Sequence, residues 1–167
     1  MSIHILPAAG SNRLLWRSLL MAALTLCLAA AEAGAQKSAR QVSGRGPAVI
    51  DSASLGFAGQ RLSLYGLRAV APSQTCAIGD QVWACGQEAR WATQNRVGNH
   101  WVVCVERARG AGGDILAVCY LGGVGGPELN AWLVEQGWAL AERDDVTDYL
   151  AQEETARAAG RGLWRGR

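Results

Sequence analysis

Histidine is nearly absent from this sequence: His4 and His100 are the only two among 167 residues. Imidazole-based metal sites and triad catalysis therefore have almost no material to work with. Lysine is scarcer still, with Lys37 alone, so the positive charge is carried by arginine and the formal net charge is only +2. That balance gives no basis for a strongly basic nucleic-acid binder, which concentrates cationic side chains on one face. No Cys-x-x-Cys pair occurs, which removes the usual signature of a structural zinc site. No internal repeat is present. Beyond the N-terminal segment no apolar run reaches the length of a membrane span.

What is present begins with that segment. Arg13 and Arg17 precede an apolar run from Leu19 to Ala31, and Ala33-Gly34-Ala35 follows as a small-x-small cleavage pattern. Residues 1–35 therefore read as a signal peptide with Gln36 as the first mature residue, and the chain is expected to be exported, periplasmic or secreted. An uncleaved anchor is the alternative. Cys27 lies inside the leader and is read as a passenger there. Removing the leader leaves Cys76, Cys85, Cys104 and Cys119. Four cysteines in an exported chain read as two disulfides, with three pairings open and the local ones favoured by spacing. In the chain-entropy model each local bridge is worth about 3 kcal/mol.

Half the residues are hydrophobic, enough for the core of one domain. Residues 36–47 are polar and glycine-containing and read as a flexible lead-in, and residues 48–167 read as the domain. Residues 48–51, 54–58 and 61–65 read as strands. In the last of these Leu62 and Leu64 face one way, and Arg61, Ser63 and Tyr65 the other. Residues 101–107 and 115–121 are two more strands, joined by a glycine-rich turn at 110–113. Helices are expected over 87–97, from Pro127 to near Gly137, and from about Thr147 to Ala159. The six tryptophans beyond the leader fall mostly on apolar faces and are read as core. The class is α+β around a small barrel or sheet.

Several stretches, in order, resemble one family. Val49-Ile50-Asp51, Gln60 to Leu67, Gln74-Thr75-Cys76, Cys85-Gly86 with Ala89, Ala117 to Tyr120, Leu129-Asn130 with Leu133-Val134, Gly137-Trp138-Ala139, Tyr149, Glu153, Ala156-Arg157 and Gly160 to Trp164 are similar to thermonuclease-like proteins, the staphylococcal nuclease family. The resemblance covers roughly residues 48–165. It implies a five-stranded OB-type β-barrel with about three helices.

The resemblance also implies a chemistry and marks where this chain departs from it. Nucleases of the family use Ca²⁺, held mainly by aspartates after the first strand and in the loop after the third. A glutamate in that loop aligns or activates water, and two arginines bind the phosphate and stabilise developing charge. Here the metal-aspartate positions carry Ala53 and Arg68, although the neighbouring Asp51 is retained. The arginine positions carry Ser63 and Asp114, and the glutamate position carries Ala71. No catalytic or metal residue is therefore assigned. The family's nucleotide-stacking tyrosines are replaced in the region of Glu142 and Asp145, where carboxylates repel phosphate. Arg68 and Asp114, both charge reversals, are expected to pair across the old pocket.

The leading expectation is an exported, non-catalytic domain with no cofactor, a pseudoenzyme that binds a protein, peptide or glycan or supports structure in the cell envelope. Some bacterial family members are described as auxiliary to exopolysaccharide synthesis, which makes such a role conceivable by analogy. The alternative is an active Ca²⁺-dependent nuclease or phosphodiesterase with a site relocated to Asp51, Arg61 and Asp114. Single-stranded nucleic-acid binding is a third reading, disfavoured by Glu142 and Asp145.

Overall fold

The computed structural model describes residues 39–144 and 146–166. The expected leader and Asp145 lie outside them. Five strands lie where the sequence places them: β2 (Ala48–Asp51), β3 (Ser54–Phe57), β4 (Gln60–Leu64), β8 (Trp101–Arg109) and β9 (Ile115–Leu121). A sixth, β1 (Gln41–Arg45), lies where a flexible lead-in was expected. Its side chains are polar except Val42, which packs against the core from an alternating exposed and half-buried pattern. The strand exists because β8 offers a free edge: Gln41 to Arg45 pair antiparallel with Val105 to Trp101. Backbone pairing of this kind needs little from the side chains.

The six strands form one sheet in the order β1-β8-β9-β4-β3-β2, antiparallel except for β4 beside β9. It curls into a half-barrel of the OB type, and three helices complete an α+β fold. Two short ribbons, invisible to periodicity, accompany it. β5 (Leu67–Arg68) pairs with β10 (Leu140–Ala141), and β6 (Cys76–Ile78) pairs with β7 (Gln81–Trp83). The turn between β3 and β4 falls on Ala58 and Gly59, both with positive φ, one residue earlier than expected. Positive φ at both central residues suits the twist of a two-residue hairpin.

The helices are α1 (Cys85–Val97), α2 (Leu129–Glu135) and α3 (Leu150–Ala158). Leu55, Leu62, Leu64, Val102, Ile115, Leu129, Leu133 and Val134 fill the main core between the sheet and α2. A smaller cluster of Val70, Cys85, Ala89 and Leu163 sits under α1, with Trp83 and Trp138 against it. Gly86 permits this approach, since a Cβ there would stand 1.9 Å from the Ala71 carbonyl oxygen. Both local disulfides are formed, Cys76–Cys85 and Cys104–Cys119. The tryptophans are less uniform than expected. Trp164 is buried, but Trp91 and Trp101 are 57% and 45% exposed. Trp83, Trp132 and Trp164 each carry an arginine guanidinium over the ring, 4.0–4.9 Å from the centroid.

Candidate functional site

The turn from β2 to β3 is the first place where the resemblance puts chemistry. Asp51 is buried, and both its carboxylate oxygens are engaged. Oδ1 accepts the Ala53 backbone N–H at 2.9 Å, and Oδ2 receives Arg61 Nη2 at 3.0 Å. Arg61 also donates to Ser54 Oγ. Ser52, fully buried, accepts the Val70 N–H through its Oγ at 2.8 Å. Ala53 is 3% exposed, and its carbonyl accepts the Leu64 N–H. These bonds make the turn a hydrogen-bonded knot tying β2, β4 and the chain after β5 together. Asp51 behaves as a turn-capping carboxylate with an arginine partner, as short polar side chains do at such turns.

The second place is a cleft of about 490 Å³ beside β4. Ser63, Tyr65 and Leu67 line it from β4 and the turn into β5, and Arg109 and Leu116 from β8 and β9. Glu142, Asp144 and Val146 close it from the chain after β10. The Glu142 N–H donates to the Gly66 carbonyl at 2.9 Å, which seats that chain against the turn. The one arginine among the described residues of the cleft is already engaged: Arg109 makes a bidentate pair with Glu106 at 2.7 and 3.0 Å and donates to the Gly113 carbonyl. Glu142 and Asp144 leave the cleft wall acidic, an unfavourable surface for a phosphate backbone.

The positions singled out in the sequence are thus divided. Ser63 lines the cleft and Ala53 is buried in the knot. Ala71 is exposed, its carbonyl accepting the Gln74 N–H. Asp114 is exposed beyond the 3₁₀ turn Ala111–Gly113, at the entry to β9. The expected Arg68–Asp114 pair is not formed: among the described residues neither makes an ion pair. The reason is strand alternation, since consecutive residues of β5 face opposite ways. Leu67 lines the cleft, and Arg68 lines a different cavity. Of the residues suggested for a relocated site, Asp51 and Arg61 meet, and Asp114 joins no ion pair with either.

Reading the residues for catalysis passed over three buried polar groups that hold the cleft in place. Asn130 accepts the Cys119 N–H and donates to the Tyr65 and Ala117 carbonyls. Glu153, 2% exposed, accepts the Ala141 N–H and pairs with Arg143 and Arg157. Tyr149, whose ring lies against Gly66, donates its hydroxyl to Glu128 at 2.7 Å. Asn130, Glu153 and Tyr149 stand in the stretches that carry the resemblance, which was their only signal.

Burial, and then the hydrogen bond and charge of Glu128, push the Tyr149 phenol far above its ordinary value. A raised folded-state pKa gives stability that is complete below the unfolded value of about 10 and declines as pH rises beyond it. Denaturant titrations should therefore show a fall in stability above about pH 10 that Tyr149→Phe reduces. An alkaline fall of the same size in Tyr149→Phe would assign it elsewhere.

A model of the family described as staphylococcal nuclease homologue matches residues 61–166. The chain belongs to this family. The match begins at Arg61 and takes in the cleft, both ribbons and all three helices. No match was found among curated proteins. Ca²⁺, the cation that the family implies, requires six to eight oxygen ligands. The residues of the β2–β3 turn do not fit it: Asp51 has both oxygens engaged, and its neighbours Ser52, Ala53 and Ser54 supply no second carboxylate. Among the described residues no three His, Cys, Asp or Glu side chains gather as metal ligands.

Proposed function

We propose that this staphylococcal nuclease homologue is an exported, non-catalytic domain, kept as a binding or structural module of the cell envelope. The observation that carries the reading is the engagement of Asp51. The acidic side chain retained beside the expected metal-aspartate position Ala53 is closed off by the Ala53 N–H and the Arg61 guanidinium. A carboxylate held in this way is neither an open metal ligand nor a free base. The surrounding substitutions agree with it. Ser63 and Asp114 cannot clamp a phosphate as arginines do, and Ala71 cannot orient water. Loss of one such group costs roughly 10²–10⁴ in rate, and a site lacking all of them has little left to act with.

Export is supported by the leader pattern of residues 1–35 and by two disulfides, which persist in oxidising compartments. Among the described residues no helix is long and apolar enough to cross a membrane. The partner class we favour is a protein, peptide or glycan rather than nucleic acid, because the family cleft presents Glu142 and Asp144. An auxiliary role in exopolysaccharide synthesis is one form this function could take. The test is cleavage of single-stranded and double-stranded DNA by the oxidised protein with and without Ca²⁺. The expected outcome is no cleavage above the protein-free blank under either condition. Ca²⁺-dependent cleavage abolished by Asp51→Asn would establish instead the alternative of a relocated phosphodiesterase site.

A further inference from the structure

A second cavity, of about 330 Å³, lies beside the Cys76–Cys85 disulfide. Its volume falls at the small end of the range for organic ligand pockets. Arg68, Gln74 and Arg157 supply its polar lining, and among the described residues no acidic side chain lines it. Its apolar wall consists of Leu140, Leu163, Trp164 and Cys76. Arg68 reaches it from β5 and makes no ion pair or side-chain hydrogen bond among the described residues. Arg157 is held on two sides: Nη2 donates to Glu153 at 3.3 Å, and its guanidinium stacks over Trp164 at 4.1 Å. The stack fixes the plane of the group. Its Nε and Nη1 donors make no bond to the described residues.

Both guanidinium groups line the one cavity, Arg157 with Glu153 as a carboxylate partner and Arg68 with none among the described residues. An oxyanion there would supply the partner that Arg68 lacks and use the forked donors that guanidinium presents to carboxylates and phosphates. The Gln74 amide adds a neutral donor. An inorganic ion would leave the apolar wall uncovered, so an anion with a carbon body matches the lining better. We propose that this cavity binds a small organic acid. Its oxyanion lies between Arg68 and Arg157, and its apolar body lies against Leu140, Leu163 and the Cys76 sulfur. Leu67 and Arg68 line different cavities, so the inference holds whether or not the family cleft is catalytic.

The test is an amide NMR titration of the oxidised, folded protein with benzoate, with benzyl alcohol as the neutral isostere and inorganic phosphate as the bare ion. Benzoate is expected to shift the amides of Arg68, Leu140 and Leu163, and to bind about tenfold more tightly than either control. Arg68→Gln, an exposed change that leaves the core intact, should weaken benzoate about tenfold, and Arg68→Lys by less. Four results would overturn the proposal: no shifts in that region, equal binding of benzoate and benzyl alcohol, unchanged binding in Arg68→Gln, or phosphate binding as well as benzoate, which would mark an adventitious ion only.

Discussion

Asn130→Ala is expected to lower stability by about 3–5 kcal/mol, with a drop in Tm of about 10 °C or more. Asn130 is fully buried on α2 and joins three segments of backbone. Its Oδ1 accepts the Cys119 N–H, and its Nδ2 donates to the Tyr65 and Ala117 carbonyls. The Ala117 carbonyl keeps a second partner, the Tyr65 N–H. Truncation therefore strands one buried backbone group, the Cys119 N–H, and one partly buried, the Tyr65 carbonyl, each costing up to about 1–3 kcal/mol, and leaves a small void. Asn130→Asp separates this account from simple volume loss. It keeps the shape and the acceptor but replaces the donor with a buried carboxylate, so it should be at least as damaging as alanine. Thermal denaturation in which the Asn130→Asp variant matches wild type would refute the assigned hydrogen bonds. Because Tyr65 lines the family cleft, a milder replacement that folds should alter the cleft's amide shifts first.

Replacing Cys104 and Cys119 together by alanine is expected to cost about 3–4 kcal/mol. The two residues face each other directly in the β8–β9 ladder, and both are completely buried. Their bridge closes a segment with a sequence separation of 15, for which loop entropy alone gives about 3 kcal/mol. The lost sulfurs add a packing deficit in a core shared with Leu55, Leu62 and Leu133. Cys76–Cys85 has a separation of 9 and a half-buried member, so its removal should cost less. Urea titrations of the two double variants rank them. A Cys104/Cys119 variant with the wild-type midpoint, or one more stable than the Cys76/Cys85 variant, would show that the ladder holds without its bridge.

The fold was readable wherever side chains carry a period. Leu62 and Leu64 bury one face of β4, as their alternation with Arg61 and Ser63 indicates. All five expected strands and the three helices are present within a few residues of expectation. The elements that escaped are those whose pairing rests on backbone bonds. β1 has one apolar residue in five, and the β5–β10 ribbon is two residues long on each side. Trp91 and Trp101 show a related limit, because an aromatic ring on a patterned face can lie at its solvent edge.

For the site, the sequence marks by resemblance the positions where substitutions are expected, but not their surroundings. Arg68 was placed in the family pocket because its neighbours match there. The alternation of a two-residue strand sends it to a separate cavity instead. Asp51 was kept as a residual ligand candidate. Its commitment to the Ala53 N–H and Arg61 depends on a turn geometry that spacing does not encode. Arg109 ends β8, just before the glycine-rich turn. It stands at the cleft but is neutralised by Glu106 through a pair spanning three positions of one strand.

Cleavage by the oxidised protein is the measurement closest to the central claim. A fluorescent single-stranded DNA, incubated with saturating Ca²⁺, should remain intact at the rate of the protein-free control, in wild type and in Asp51→Asn alike. Ca²⁺-dependent cleavage by wild type that disappears in a folded Asp51→Asn variant would contradict the reading of Asp51 as a structural carboxylate, and with it the non-catalytic assignment.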